Sequence, residues 1–373
     1  MSDTAVAVLP ALPLEGRVAT LGPQGHNKAG EGVELCRTDG PPPPTAPLKG
    51  EGSNRRNARA TSNLPLIVST FLLLAAPAQA ATTYPLTLDN CGVSVTIEHA
   101  PERVVTIKST ATELLLSLGL ADRIVGVGFQ DGPLPANLAA AGVDLKVLSE
   151  KLPSQEVVLE TEPDFIYGGW ESNFAADGAG ERPTLAQLGV ATYVAPAACR
   201  SVVPPKLTFD MLFAEIEEMG TIFDVEAAAA DLVAAQKAEL AAIAPDTRGL
   251  TALWYSSGTK TPYVGAGRNA PAMIMEALGL ANIFAAVDEG WTSASWEAVV
   301  DANPDVIVLV DSAWNSAAQK KTLLAENPIT SKLDAVIHQR YLVLPFPASE
   351  AGIRNVPATT DMAAQLAGLT FGE

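Results

Sequence analysis

The sequence predicts an α/β fold of two Rossmann-like lobes with mostly parallel sheets, joined by one long α-helix. Strand-like and helix-like segments alternate in both halves of the chain, which is typical of parallel sheets. One sequence pattern also occurs twice, at residues 154–166 and 295–307, which indicates two lobes of related build. Between the halves, residues 225–243 hold a helical pattern without Gly or Pro, and this segment is the predicted linking helix.

The first 80 residues differ from the rest of the chain. We interpret residues 1–53 as a disordered extension, or as a segment upstream of the start codon used in the cell, because they show no sustained hydrophobic period. Residues 54–80 have the order of a secretory signal peptide: arginines, an apolar run at 64–76 and a small-x-small site that ends at Ala80. No lipid-attachment Cys follows the run directly, so cleavage after Ala80 is expected to release a soluble periplasmic protein.

The chain is acidic and rich enough in apolar residues to form ordinary cores. It has 373 residues, 48% of them hydrophobic, and a formal net charge of −18. Residues 1–80 carry seven Lys or Arg and six Asp or Glu, so the remaining chain has a net charge of −19. Because nucleic-acid binding needs a basic surface, we expect no nucleic-acid partner. We expect the protein to be a monomer.

Residues 81–222 are predicted to form the N-terminal lobe. Alternating residues at 84–97, around an Asn-Cys-Gly turn, predict a β-hairpin. Short apolar runs predict strands at 103–107, 123–127, 164–167 and 191–194. Helical patterns lie at 110–118, which Gly119 ends, and at 182–188 and 208–219.

The linking helix is placed at residues 223–245, and residues 246–373 are predicted to form the C-terminal lobe. Its strands are predicted at 250–255, 306–310 and 341–344. Its helices are predicted at 270–278, 297–302, 320–327 and 359–366. This order repeats the strand and helix alternation of the first half.

The two related segments each read Ser-x-Glu-x-Val and continue to Pro-Asp-x-Ile. Ser154 and Ser295 are predicted to cap short helices, and Glu156 and Glu297 fall in the first turn, where the helix dipole favours negative charge. Capping alone could explain either segment by itself. Their repetition favours a shared role for the two glutamates at equivalent helix ends.

Aromatic and basic residues recur near the ends of the predicted strands. Because ligands of α/β sheets bind at the carboxyl ends of the strands, we expect flat rings to stack there on cargo and cations to hold its anionic groups. Burial in a core, or a place on the surface, is the alternative for each residue taken singly. The candidate ligand-binding residues are Lys108, Tyr167, Trp170, Glu171, Trp254, Tyr255, Arg268, Trp291, Trp314, Phe346 and Arg354.

Catalysis, metal binding and a resident cofactor find little support in the sequence. His99 and His338, the histidines after residue 80, are far apart, and the chain has no His-x-x-x-His or Cys-x-x-Cys pair. Cys91 and Cys199 could form a disulfide in an oxidising compartment, or could be two separate buried thiols. A metallocluster enzyme would need more cysteines, and an extracellular structural module is disfavoured by the aromatic residues at the strand ends.

The chain after Ala80 resembles the substrate-binding proteins of ABC importers for iron-siderophores, haem and cobalamin. The resemblance lies in Pro-Glu-Arg-Val-Val at 101–105, Glu-Leu-Leu-Leu-Ser-Leu-Gly at 113–119, Ile-Val-Gly at 124–126 and the two Glu segments. It implies two lobes rigidly joined by one long helix, with ligand in the cleft between them. It also implies that Glu156 and Glu297 dock the loaded protein on arginines of the membrane permease dimer.

Four further segments resemble a subgroup named for binding the deazaflavin precursor coenzyme F-420-0. They are Asp-Gly-Pro-Leu-Pro at 131–135, Gly-Trp-Glu-Ser-Asn at 169–173, residues 262–267 and residues 350–356. The resemblance implies a cargo that combines a flat deazaflavin with a phospholactate. Ferric siderophores, haem and cobalamin stay open as alternatives, because the same residue types would also suit them.

Overall fold

The computed structural model describes residues 81–371, and the predictions for the extension and the signal peptide lie outside these residues. The described part confirms the predicted α/β class, with parallel strands and helices in both halves. Among the described residues, no helix has the length and apolar character needed to cross a lipid bilayer.

The N-terminal lobe comprises strands β1–β7 and helices α1–α3. Its strands are β1 (Leu86–Asn90), β2 (Val93–Ile97), β3 (Val104–Ile107), β4 (Ile124–Gly128), β5 (Val147–Ser149), β6 (Phe165–Gly168) and β7 (Ala191–Val194). Its helices are α1 (Ser109–Ser117), α2 (Gln155–Leu159) and α3 (Arg182–Gln187). β1 and β2 form the predicted antiparallel hairpin.

The linking layer comprises helices α4 (Phe209–Phe223), α5 (Glu226–Ala241) and α10 (Asn355–Ala367). The C-terminal lobe comprises strands β8–β13 and helices α6–α9. Its strands are β8 (Thr251–Ser257), β9 (Tyr263–Gly265), β10 (Ala281–Asn282), β11 (Trp291–Ser293), β12 (Val306–Asp311) and β13 (Tyr341–Pro345). Its helices are α6 (Ala270–Ala277), α7 (Trp296–Ala302), α8 (Ala317–Glu326) and α9 (Asp334–Ile337).

Each lobe is built on one sheet. The N-terminal sheet has the order β5-β4-β3-β6-β7 and is parallel throughout. The strand order reverses between β3 and β6, and a ligand crevice is expected at the carboxyl ends of such a pair. In the C-terminal sheet, with the order β11-β9-β8-β12-β13, strands β8, β12 and β13 are parallel and β9 and β11 are antiparallel neighbours.

Buried side chains alternate between the two faces of both sheets. In β12, Val308 packs on the face covered by α10, whereas Ile307 and Leu309 pack on the opposite face. In β3, Val104 and Val105 divide in the same way between two separate clusters. Covering on both faces is what parallel sheets require, and it explains why these strands read as unbroken apolar runs.

A layer of helices joins the lobes, and the predicted linking helix corresponds to α5 of this layer. α4 contributes Leu212 to the core of the C-terminal lobe and Phe223 to the core of the N-terminal lobe, so this helix spans both. Asp224 follows in the left-handed conformation, with φ of 56°, and turns the chain back into α5. The prediction of a single link missed this pairing, because the αL residue at the turn is an Asp and not a Gly.

The two related segments fold alike. Ser154 and Ser295 cap α2 and α7, and each hydroxyl accepts a backbone N–H three residues on, from Val157 and Ala298 respectively. The Asp of each Pro-Asp pair then accepts hydrogen bonds from residues at the start of the neighbouring parallel strand. Asp164 accepts the N–H groups of Glu102 and Arg103 before β3, and Asp305 accepts both the N–H and the hydroxyl of Thr251 in β8. The repeated pattern is therefore partly structural.

Candidate functional site

A cleft of about 770 Å³ lies between the two lobes, which is within the usual size range of small-molecule sites. Its floor and one wall come from the N-terminal lobe and the segment that leaves it, including Thr110, Trp170, Arg200 and Leu207. The opposite wall comes from the C-terminal lobe, including Tyr263, residues 288–291 and Phe346. The carboxyl ends of β3 and β6, where the strand order reverses, are at this site.

Four of the predicted ligand-binding residues line the cleft: Trp170, Arg268, Trp291 and Phe346. Trp170 follows β6, and Phe346 follows β13, as the strand-end argument expects. Aromatic rings from both lobes are therefore available to a bound molecule. The other seven candidates do not line the cleft.

Lys108 follows β3, but its ammonium is buried beneath the cleft surface. Its side chain is 1% exposed and forms an ion pair with Asp131. The ammonium also lies 3.6 Å from the centroid of the Trp170 ring and 4.6 Å from that of Phe129, so both rings offer it cation–π contacts. Lys108 is therefore placed to support Trp170 from behind and does not line the cleft.

Arg354 joins the two lobes at the side of the cleft. Its guanidinium makes a two-pronged ion pair with Glu113 of α1 and also donates to the carbonyl of Pro133 at 2.9 Å. Burial raises the pKa of the Glu113 carboxyl, although Arg354 opposes the shift. The sequence predicts Arg354 as a cargo contact, but its donors are engaged by the protein.

Three predicted aromatic contacts are core residues. Trp254, Tyr255 and Tyr167 are each 1% exposed or less. β8 continues to Ser257, two residues beyond its predicted end, so Trp254 and Tyr255 lie inside the strand and pack on its opposite faces. Tyr167 points from β6 into the core, where its hydroxyl donates to the carboxylate of Glu215 on α4.

Trp314 and Glu171 also lie off the cleft surface. Trp314 is 62% exposed, and its ring meets the edge of Phe346 with 5.1 Å between centroids, which places it beside the cleft residue. Glu171 accepts hydrogen bonds from the backbone N–H groups of Arg200 and Ser201 and from the Ser201 hydroxyl. Partial burial alone would raise the pKa of Glu171, but these hydrogen bonds outweigh it and hold the pKa below its ordinary value.

Two residues that the sequence argument missed are prominent in the cleft. Tyr263 of β9 stacks on Trp291 of β11, with 5.9 Å between ring centroids and 12° between ring planes. Burial and the carboxylates of Glu350 and Glu289 raise the pKa of Tyr263, and the nearby Arg200 partly offsets this. Arg200 follows Cys199, but no motif marks it as a cleft residue. Tyr263 belongs to residues 262–267, one of the segments that resemble the F-420-0 subgroup.

The cleft contains more acidic than basic groups. Its charged lining residues are Arg200, Arg268, Asp288, Glu289 and Glu350. Arg268 is committed to Asp288 in a two-pronged ion pair, and it also donates to the carbonyl of Pro204 at 2.9 Å. Within residues 81–371, the guanidinium of Arg200 has no ion-pair partner.

The Cys91 and Cys199 side chains are joined by a disulfide, with 5.3 Å between their Cα atoms. Cys91 lies at the turn of the β1–β2 hairpin, and Cys199 lies on the cleft wall, next to Arg200. The bond therefore ties the first hairpin of the N-terminal lobe to the segment that lines the cleft.

Glu156 and Glu297 lie at the N-terminal ends of α2 and α7, and both are exposed. Each occupies the second helical position, after its Ser cap. Within residues 81–371 neither glutamate takes part in an ion pair. Both carboxylates are thus accessible to a partner surface.

Metal coordination finds no support in the described residues. Within 81–371, the His, Cys, Asp and Glu side chains form no group of three or more that could hold a metal ion. His99 and His338 are exposed, and neither lines the cleft. What the cleft offers is stacking, hydrogen bonding and charge.

Residues 104–348 match the model of a protein family described as periplasmic binding protein. YvrC of Bacillus subtilis (strain 168), an uncharacterized ABC transporter substrate-binding lipoprotein, is 25% identical over 303 residues, which cover 79% of this chain and 90% of the relative. A cobalamin-binding protein of Halobacterium salinarum is 28% identical over 276 residues, which cover 70% of this chain and 68% of the relative.

Two crystal structures share the architecture. A periplasmic binding protein from Veillonella parvula has a TM-score of 0.68 and 26% identity, and the match covers 77% of this chain and 98% of that chain. An ABC-type Fe3+-hydroxamate transport system from Saccharomonospora viridis has a TM-score of 0.66 and 26% identity. This match covers 76% of this chain and 99% of that chain. The fold of this chain is thus shared with a periplasmic binding protein and with a protein of an ABC-type transport system.

Proposed function

Because this chain belongs to the periplasmic binding protein family, we propose that its cleft captures a bulky, partly flat, anionic small molecule for an ABC importer. The general role is that of an ABC transporter substrate-binding protein and not of an enzyme. Such proteins hold a small-molecule cargo and deliver it to a membrane permease. What we add is the chemistry of the cargo and the residues that hold it.

The observation that carries the proposal is the combination of stacked rings and a cation in one cleft. Tyr263 and Trp291 form a stacked pair, and Trp170 and Phe346 add aromatic surface from both lobes. Flat rings of cargo gain both apolar burial and stacking energy against such surfaces. Arg200 and Arg268 supply donors for carboxylate or phosphate oxygens, although Asp288 already engages Arg268.

Coenzyme F-420-0 is the first cargo to test. Its deazaflavin suits the aromatic surfaces, and its phospholactate suits a guanidinium. Three of the four segments that resemble the F-420-0 subgroup contribute residues to the cleft lining: Gly169 and Trp170 belong to one, Tyr263 belongs to another, and Glu350 and Ala351 belong to a third. Ferric siderophores and haem have similar requirements and stay in the comparison.

Cobalamin is the second candidate, and a specific observation favours it. Two Halobacterium salinarum relatives, each 28% identical to this chain over 276 residues, are named cobalamin-binding proteins. A corrinoid is a large ring system that the aromatic cleft could also cover. Titration of both ligands into the same protein separates the two candidates.

The test is a titration of the purified chain from residue 81 to 373. Intrinsic tryptophan fluorescence and calorimetry would be recorded with coenzyme F-420-0, cobalamin, haem and a ferric hydroxamate in parallel. We expect saturable 1:1 binding of F-420-0, with quenching that weakens in Trp170→Phe and Trp291→Phe. Trp314→Phe is the matched control, because Trp314 is exposed and does not line the cleft.

Each outcome of the titration decides between cargoes. Binding of cobalamin alone would replace F-420-0 as the cargo and keep the transport role. Binding of a ferric hydroxamate alone, or of haem alone, would make that ligand the cargo and would also keep the transport role. If no ligand of the panel gave saturable heat or quenching, the proposed cargo classes would be wrong.

The remaining parts of the proposal concern the partner, the compartment and the lobes. We include docking of the exposed Glu156 and Glu297 on the permease dimer, supported by their equivalent positions on α2 and α7. We also include export by the segment at 54–80 with cleavage after Ala80, action as a monomer, and the division of the chain at 81–222, 223–245 and 246–373. The disulfide supports export, because such bonds persist in oxidising compartments.

A further inference from the structure

The segment between β7 and α4 carries a cation whose surroundings differ from those of the other basic residues near the cleft. We infer that Arg200 is the residue that selects cargo with a carboxylate or phosphate group, and that Glu171 and the Cys91–Cys199 disulfide position it. This inference rests on the proposed capture of cargo in the cleft. It names the chemical group of the cargo, a carboxylate or phosphate, that the protein recognises.

Other basic groups near the cleft are already occupied. Lys108 is buried with Asp131, Arg354 is held by Glu113, and Arg268 is held by Asp288. Arg200 lines the cleft, is exposed, and has no ion-pair partner among residues 81–371. A guanidinium with free donors is the natural partner of a carboxylate or phosphate, because it can bond two oxygens at once.

The backbone at Arg200 is fixed from both sides. On its N-terminal side, Cys199 is covalently joined to Cys91 of the first hairpin. At Arg200 and Ser201, the Glu171 carboxylate accepts two backbone N–H groups and the Ser201 hydroxyl. The common effect of the disulfide and these hydrogen bonds is to fix the backbone from which the Arg200 side chain extends at the cleft.

The cleft that Arg200 lines also holds the aromatic pair. Arg200 and Tyr263 both line the cleft, and the positive charge of Arg200 opposes the burial that raises the pKa of Tyr263. Tyr263 in turn stacks on Trp291. A molecule with a flat ring on the aromatic pair would therefore bring an attached anionic group within reach of Arg200.

Because the cleft lining has more carboxyl than guanidinium groups, Arg200 has a large effect on whether an anionic ligand can bind. The lining carries three carboxyl groups, Asp288, Glu289 and Glu350, against two guanidinium groups. Without Arg200 only Arg268 would remain, and its donors are engaged by Asp288 and Pro204. An anionic ligand would then be repelled by the excess negative charge of the lining and would bind more weakly. A neutral ring would lose little binding affinity. Arg200 therefore affects selectivity more than overall affinity.

The experiment compares an anionic probe with its neutral counterpart. Coenzyme F-420-0 and the same deazaflavin without its phospholactate would be titrated into the protein by fluorescence and calorimetry. Phenyl phosphate and phenol form a second, smaller pair. We expect Arg200→Gln to weaken binding of the anionic probe by about 10- to 100-fold, the range for a lost hydrogen bond to a charged group. Binding of the neutral probe should change less than about threefold.

Two further variants test specificity and positioning. Arg200→Lys should recover part of the lost affinity, because an ammonium keeps the charge but not the two-pronged geometry. Glu171→Gln keeps Arg200 and removes the negative acceptor that fixes its backbone, so the ratio of anionic to neutral affinity should fall while the fold is kept. Lys206→Gln is the matched control, since Lys206 lies on the same segment but does not line the cleft.

Equal losses for the anionic and the neutral probe in Arg200→Gln would overturn the inference, as would unchanged binding of both. Absence of saturable binding of every anionic ligand tested, the ferric siderophore and haem included, to the unmodified protein would also contradict it. If a ferric siderophore or haem binds instead and needs Arg200, the inference holds although the F-420-0 proposal fails. If cobalamin binds and Arg200→Gln has no effect, the transport role holds and the inference fails.

Discussion

Trp170 of the N-terminal lobe donates its indole N–H to the carboxylate of Glu350, with 2.5 Å between Nε1 and Oε2. Glu350 lies between β13 and α10, so this hydrogen bond crosses the floor of the cleft. Burial raises the pKa of Glu350, and the charge of Lys108 behind Trp170 opposes the shift. A cleft aromatic is thus held on both sides, by a buried ammonium and by a carboxyl group from the other half of the molecule.

The first prediction concerns this bond. Glu350→Ala should lower the free energy of unfolding by about 1–3 kcal/mol, because it leaves the indole N–H without its acceptor in a partly buried place. Glu350→Gln keeps an acceptor oxygen and should cost less. Urea unfolding of the three proteins measures the difference. Equal losses in the Gln and Ala variants would mean that the charge of Glu350, and not its hydrogen bond, stabilises the protein.

The second prediction concerns the ion pair between Arg354 and Glu113. Arg354→Ala should lower the free energy of unfolding by about 3 kcal/mol or more, since it leaves the carboxyl of Glu113, which is 1% exposed, without its partner. The double variant Arg354→Ala with Glu113→Gln should be more stable than Arg354→Ala alone. The control is Lys206→Ala in the exposed pair with Glu276, which should cost less than about 1 kcal/mol. No recovery in the double variant would show that the loss comes from packing.

The third prediction is a pH dependence of stability that Glu215 produces. Burial raises the pKa of Glu215 from 4.5 to about 7, with Glu218 adding to the shift and the Tyr167 hydroxyl opposing it. Between these values the folded protein keeps a proton that the unfolded chain releases. Stability therefore falls as pH rises through this window, by about 3 kcal/mol for the full shift.

Urea unfolding of the wild type and Glu215→Gln at about pH 5 and about pH 8 tests this dependence. The variant should be closest to the wild type at the lower pH and relatively more stable at the higher pH. Glu217→Gln, an exposed change on the same helix, should follow the wild type at both values. A constant difference between wild type and Glu215→Gln would mean that Glu215 does not titrate in this window.

The fourth prediction separates docking from capture. The double variant Glu156→Ala with Glu297→Ala should bind cargo as the wild type does, because neither residue lines the cleft, and should abolish uptake by cells that carry the importer. The matched control is Glu160→Ala with Asp301→Ala, since these acidic residues are exposed near the other ends of the same two segments. Uptake of labelled cargo is the measurement. Unchanged uptake in the first double variant would exclude a docking role.

Local signals in the sequence predicted much of the fold. Ser154 and Ser295 cap their helices as expected, because capping depends on a few adjacent residues. The parallel sheets follow from apolar runs that alternate with helices. The pairing of α4 with α5 was missed, because the turn at Asp224 depends on how the two helices pack as well as on the residues at the turn.

The site was predicted less completely than the fold. Trp170, Arg268, Trp291 and Phe346 do line the cleft, but Trp254 and Tyr255 do not, because two extra residues in β8 place them inside the sheet. Arg354 was predicted to bind cargo because of its position in a loop after the last strand. It pairs instead with Glu113, which lies 241 positions away in sequence. Partners at that separation are set by tertiary packing, which no short motif records. Arg200 was missed for the same reason, since its backbone is fixed by Glu171 and by a distant cysteine.

The disulfide between Cys91 and Cys199 also closes residues 91–199 into a covalent ring. The two cysteines are 108 positions apart, and every strand of the parallel N-terminal sheet lies between them. A protease that cuts once in an exposed loop of this region, such as residues 139–142, would open the ring without releasing a fragment. The cut protein would keep the mass of one molecule, apart from one added water, until a reductant separated its two pieces.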